Sequence, residues 1–133
     1  MQVGKWVFIL TVSVAIAAPV SAECSRQGAS WVRDAIQSKL DTDSTPIVTF
    51  KSSKQFQMTV CESFSDGYYG EGVLSFYGTD GAYYWVKGKA DLNSNGYVIS
   101  SSMTDANANF ITLAAIKGVA VVVAGCTVSN ECN

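Results

Sequence analysis

The chain contains no histidine. That removes the usual general base of a nucleophilic triad and one of the standard zinc ligands. Basic residues are few and scattered: nine Lys and Arg stand against eleven Asp and Glu. Nucleic-acid phosphates call for a basic stripe, so no nucleic-acid partner is expected. No Asn-x-Ser/Thr sequon occurs, so the sequence shows no sign of N-glycans. No apolar run reaches the ~20 residues a helix needs to cross a bilayer, and no membrane span is expected.

What is present begins with a leader. "MQVGKWVFILTVSVAIAAPVSAEC" places Lys5 in a short charged start, an apolar run from Trp6 to Ala18, and small residues at Val20, Ser21 and Ala22. This predicts a secretory signal peptide over 1–22, removed from a single globular domain over 23–133. Without Lys5 the domain has eight basic residues against eleven acidic ones, a mildly acidic balance. Export, to a periplasm or outside the cell, places all four cysteines where disulfides persist. The spacing suggests Cys24 with Cys61, tying the first helix to a strand, and Cys126 with Cys132, closing "CTVSNEC". Neither closely paired cysteines nor histidines suggest zinc, and no metal or other cofactor is expected.

Trp31, Val32, Ala35, Ile36 and Leu40 recur at helical spacing between Ser25 and Leu40, which predicts an amphipathic helix. It should stop in "DTDSTP", where Pro46 bars continuation. "PIVTF" then reads as a short strand, "KSSK" as a hairpin turn, and "QFQMTVC" as an alternating strand. In that strand Phe56, Met58 and Val60 oppose Gln55, Gln57, Thr59 and Cys61. A turn at Asp66-Gly67 leads into a three-strand meander over Tyr68–Met103, punctuated by "GTDG" and "NSNG". The tail "NFITLAAIKGVAVVVAGC" is read as two strands joined at Lys117-Gly118, because Val119 to Val123 is β-branched and Gly118 would cost helix stability. The fold class expected is therefore α+β. An N-terminal amphipathic helix packs on a curved antiparallel β-sheet or partial barrel of about six to seven strands, stabilised by disulfides.

"DLNSNGYVI" invites a second reading. Asp91, Asn93, Asn95 and Gly96 fill the first half of a calcium loop, but the twelfth position, where a bidentate acid belongs, is Ser102. With strand-like flanks on both sides, Asn95-Gly96 is better read as a hairpin turn.

If Asp80-Gly81 and Asn95-Gly96 close two-residue turns, the meander's faces follow. One face, the expected core, collects Val73, Tyr77, Tyr84, Val86, Ala90, Leu92, Tyr97, Ile99 and Met103. The other collects Leu74, Phe76, Tyr83, Trp85, Lys87, Lys89, Ser100 and Ser102. A strip grading from aromatics to lysines suits recognition of a protein or a glycan, so Phe76, Tyr83, Trp85, Lys87 and Lys89 are the candidate binding residues. The alternative is that other elements cover Phe76 and Trp85 as a second core. For catalysis the remaining route is a carboxylate pair, Glu62 and Glu71, flanking "SFSDGYYG" as glycoside hydrolysis would need. Acids on a small domain are far more often solvated than catalytic, so no enzyme is expected.

"DGAYYWVKG", Asp80 to Gly88, is similar to the Tyr-rich strand ending in Trp-x-Lys-Gly of periplasmic inhibitors of C-type lysozyme, which are small disulfide-bonded β-barrels. The similarity spans those residues alone. The chain departs from that family in its N-terminal helix and in lacking the Ser-Gly-rich segment before the strand. The resemblance implies binding to a secreted enzyme near Trp85 and Lys87. The expectation carried forward is a secreted or periplasmic non-enzymatic binding protein whose partner is a secreted protein or a cell-wall glycan, with hydrolase inhibition as a special case. A self-associating structural or surface-assembly subunit is the alternative, and a small glycan-cleaving enzyme the third.

Overall fold

A computed structural model describes residues 22–51 and 53–119, with the backbone of 122–123 and 126–127. Of the expected leader it describes only Ala22, and the expected Cys126–Cys132 bridge lies outside the described residues. The elements run β1 (Ala22–Glu23), α1 (Arg26–Ser44), β2 (Gln55–Phe64), β3 (Gly67–Tyr77), β4 (Tyr83–Asn93), β5 (Val98–Ala106), α2 (Ala108–Ile116), β6 (Val122–Val123) and β7 (Cys126–Thr127). β1 to β5 form one antiparallel sheet in sequence order, while β6 and β7 pair separately. The fold is α+β, as expected, but among the described residues the main sheet has five strands, rather than the six to seven expected of a curved sheet or partial barrel, and two helices accompany it.

The Ser25 hydroxyl caps α1 by accepting from the Gly28 amide at 3.1 Å, satisfying one of the donors every helix start leaves free. Val32, Ile36, Leu40 and Ser44 fall four residues apart and are fully buried. They cover the inner face of the sheet, which supplies Leu74, Phe76, Tyr84, Val86, Ala90, Leu92 and Met103. Two inner-face glycines let the helix come close: a Cβ at Gly70 would lie 2.2 Å from a Val32 methyl, and one at Gly88 2.8 Å from a Leu40 methyl. The helix persists through "DTDS" and ends before Pro46, with Thr45 returning its amide to the Asp41 carbonyl.

Four expectations are corrected. "PIVTF" is not a strand paired through "KSSK": Ile47 and Val48 turn back onto the Ser44 carbonyl, and Phe50 bridges Gly78 beyond the end of β3. The turn before β3 uses Ser65 and Asp66, with Gly67 already paired to Phe64. In β2 the register shifts between Met58 and Val60, leaving Thr59 as an extra residue. Such a bulge reverses alternation beyond it, so Cys61 joins Phe56 and Met58 on the inner side instead of opposing them. There it bonds Cys24, with a Cα separation of 5.5 Å. The helix-to-strand disulfide is thus as expected, on a face that simple alternation excludes.

The tail is the fourth. Residues Ala108–Ile116 are helical, not a strand. Asn107 caps α2 by accepting from the Phe110 amide at 3.1 Å. Gly118, at φ 70°, sits just past the helix, where the Gly118 amide donates to the Ala115 carbonyl and the Val119 amide to that of Ala114. Glycine is unfavourable inside a helix and favoured at this left-handed stop. Phe110 and Ala114 of α2 complete the core.

Candidate binding face

Both hairpin turns of the meander contain three residues, not two. In the first, the Gly78 amide donates to the Ala82 carbonyl and the Gly81 amide to that of Gly78. In the second, Asn93 pairs with Tyr97 and the Gly96 amide donates to the Asn93 carbonyl. Gly81 and Gly96 take φ 83° and 87°, the left-handed residue that closes a three-residue hairpin loop. The odd loop moves β3 by one residue against the expected register, pairing Tyr77 with Tyr83. Leu74 and Phe76 are therefore core, and Val73 and Tyr77 face outward. Phe76, expected in the binding strip, is 2 % exposed and packs against Phe50 and Tyr84. In the second hairpin, Tyr97 and Ile99, expected in the core, are 71 % and 68 % exposed. A bulge at Ile99 then restores the expected register, so Met103 lies inward and Ser100 and Ser102 outward.

The outer face reads as cross-strand rows. Tyr77 stands beside Tyr83, then Gln55, Ser75 and Trp85, then Gln57, Val73, Lys87 and Asp105. Val60, Glu71, Lys89 and Ser102 follow, then Glu62, Tyr69, Asp91 and Ser100. The first three rows surround an open depression of about 750 Å³ lined by Gln55, Phe56, Gln57, Val73, Ser75, Tyr83, Trp85 and Lys87. The Tyr77 and Tyr83 rings lie 5.3 Å apart, and the Lys87 ammonium rests 5.5 Å from the centre of the Trp85 ring. Tyr83, Trp85 and Lys87 are thus brought together. Lys89 shares their face but sits one row on, beside Glu71 and outside the depression.

Sequence reasoning missed Tyr77, Gln55, Gln57 and Ser75 as members of this face. The available signal was glycine in the third place of each turn, which favours the odd loop.

Glu62 and Glu71 do share the outer face, with Tyr69 between them in register. The Tyr69 hydroxyl donates to Glu71 at 2.5 Å. Burial, reinforced by this bond, pushes the Tyr69 hydroxyl up to about 12, so it remains a donor at neutral pH. Among the described residues no group of three or more carboxylates and thiols is placed to hold a metal. In the Asn93 turn, the side-chain oxygen accepts from the amides of Asn95 and Tyr97 at 2.9 and 3.0 Å, and Asp91 accepts from Ser100. The segment is a hairpin whose polar side chains serve its own turn.

Comparison with protein-family models, curated proteins and solved structures finds no match to this chain. No described helix is long and apolar enough to cross a membrane.

Proposed function

We propose that this is a small secreted or periplasmic non-enzymatic binding protein, which recognises a protein or glycan through the outer face of its sheet. Tyr83, Trp85 and Lys87 form the centre of that surface, with Lys89 at its margin. The observation that carries this reading is the open depression lined by Trp85, Tyr83 and Lys87 on the sheet face opposite α1. Aromatic side chains supply large contact area at small conformational cost, and on a solvated face they are not needed to build the core. A chain without histidine, whose candidate acids Glu62 and Glu71 flank a tyrosine rather than a cleft, fits binding better than turnover.

Tryptophan fluorescence of the oxidised protein, titrated in parallel with soluble cell-wall glycan fragments and with lysozyme, tests the reading. A saturable change that disappears in Trp85→Ala is the expected result. No response to either ligand, with the variant indistinguishable from the parent, would sink it.

Self-association is the second reading, favoured by Tyr97, Val98 and Ile99. These three consecutive residues are each more than half exposed, at the start of the terminal strand β5. Unpaired strand edges with apolar side chains template pairing between chains. Sedimentation across a range of concentrations separates the two: reversible oligomers favour assembly, and a stable monomer favours ligand binding.

A further inference from the structure

We infer that the depression takes a short acidic oligosaccharide, with pyranose rings on the aromatic floor and a sugar carboxylate at Lys87. This rests on the binding reading above and names the ligand within it.

The lining has two chemical characters. Trp85 and Tyr83 line the depression, and aromatic rings carry a negative quadrupole that attracts the weakly positive C–H face of a pyranose. Gln55, Gln57 and Ser75 stand around them, and their amides and hydroxyl both donate and accept, as sugar hydroxyls do. An extended peptide fits less well. Peptides that add to sheets use a free edge, whereas this floor lies across β2, β3 and β4, and the backbone groups of β3 are engaged on both sides.

Charge selects among sugars. Among the described residues, Lys87 is the sole charged one lining the depression. Asp105 stands opposite it in register, yet Lys87 makes no salt bridge among the described residues. The Asp105 carboxylate accepts its neighbour's amide, from Ala106 at 2.8 Å, while the ammonium lies over Trp85. With Asp105 at the margin and turned to its own backbone, the lining offers one cation, which complements a single carboxylate. A densely sulfated chain would need a basic stripe that the face lacks.

The extent of the lining sets the length. Glu71 lies one row beyond Lys87, directly opposite Lys89, and Glu62 and Asp91 one row further. An anionic chain running along β4 would pass Lys89 and then meet Asp91, with Glu62 in the same row, at about 14 Å, the rise of four strand residues. The lining itself lies on β2, β3 and β4, a span of about 10 Å at ~4.8 Å per strand. That accommodates a short oligosaccharide rather than a long polymer groove.

The test uses the oxidised full chain and isothermal titration calorimetry at low salt. Hexasaccharides built on galacturonate and on glucuronate are compared with their methyl esters, which keep the ring faces and remove the charge. At least one acid should bind tenfold or more tightly than its ester. Lys87→Gln should bring that acid to the ester's affinity, and added salt should narrow the gap. Lys87 is exposed, so this variant should fold; circular dichroism checks it, and Trp85→Phe serves if Trp85→Ala does not fold. Equal binding of acid and ester, lost on changing Trp85, would overturn the charge recognition and leave the binding surface standing. A preference for acid that survives Lys87→Gln would overturn the role of that residue. Silence from all four oligosaccharides, beside a lysozyme response that depends on Trp85, would overturn the glycan and keep the surface. Silence from every ligand would remove both.

Discussion

Removing the Cys24–Cys61 bridge by Cys24→Ala with Cys61→Ala should destabilise the protein by about 4 kcal/mol. The bridge joins residues 37 apart in sequence. The loop-entropy relation for a closure of that size gives this value at 25 °C, because the cross-link removes conformations from the unfolded chain. A domain of this length has a total stability on the order of 5–15 kcal/mol, so the loss is a large share of it. The midpoint of thermal unfolding should drop by roughly 15–30 °C. Urea unfolding measures the effect directly and reports on the mechanism. If the bridge acts on the unfolded state, the variant's denatured chain is more expanded, and the slope of free energy against urea should rise as the midpoint falls. The amide of Cys24 still donates to the Cys61 carbonyl at 3.3 Å, so β1 has a means of staying docked without the sulfurs. A loss below about 1 kcal/mol would refute the entropic argument and place the bridge's role elsewhere.

Three further outcomes follow from particular side chains. The Ser44 hydroxyl is fully buried with no hydrogen-bond partner among the described residues, so Ser44→Ala should leave stability unchanged or raise it by about 1–2 kcal/mol; a loss in urea unfolding would show a partner at that site. Gly118→Ala should cost about 1–2 kcal/mol through backbone strain, since a Cβ there meets none of the described residues within 4 Å; a neutral substitution would contradict the left-handed stop of α2. Tyr69 and Tyr84 are each pushed up to about 12, first by burial and then by donating to Glu71 and Asp80. Their contribution to stability is complete below the unfolded tyrosine value of about 10 and is lost as pH rises from there through the folded value. Urea midpoints measured over that interval should fall, less steeply in Tyr84→Phe, and a flat profile would contradict the shift.

The first helix was legible because Trp31, Val32, Ala35, Ile36 and Leu40 recur at helical spacing and Pro46 bars its continuation; the Ser25 cap emerges only in the fold. The meander was legible from its turn glycines. Which way its residues face was not, and β3 shows why. Val73 and Leu74, then Phe76 and Tyr77, are apolar at both parities, so hydrophobic alternation cannot choose between registers there. Turn length decides, and one added residue transfers Phe76 from the binding strip to the core. The bulge at Thr59 is a second parity change, invisible in composition, and it is what turns Cys61 toward Cys24. In the tail, Gly118 reads as a helix breaker by propensity, while its position just past the Lys117 cap makes it a helix stop.

The same parity argument bears on the outer face, where two explanations compete for the same aromatics. Tyr77 and Tyr83 stand directly opposite each other, and a cross-strand aromatic pair contributes about 0.2–1 kcal/mol to a sheet. That is a structural use, and it accounts for these two tyrosines without any ligand. Trp85 is different. Its cross-strand neighbour Ser75 offers no aromatic partner, and the described cation over its ring is Lys87, an exposed residue two positions along the same strand. Packing explains Trp85 less completely than it explains the tyrosine pair, and Trp85 is where the depression, the cation and the amide side chains meet. The two uses separate by ratio. Replacing Tyr77 should lower stability and ligand affinity by comparably small amounts, whereas replacing Trp85 should weaken binding at least tenfold while changing stability by no more than about 1 kcal/mol. If Trp85 instead cost several kcal/mol of stability, its first duty would be to the sheet, and the exposed strand at Tyr97 to Ile99 would become the better place to look for a partner.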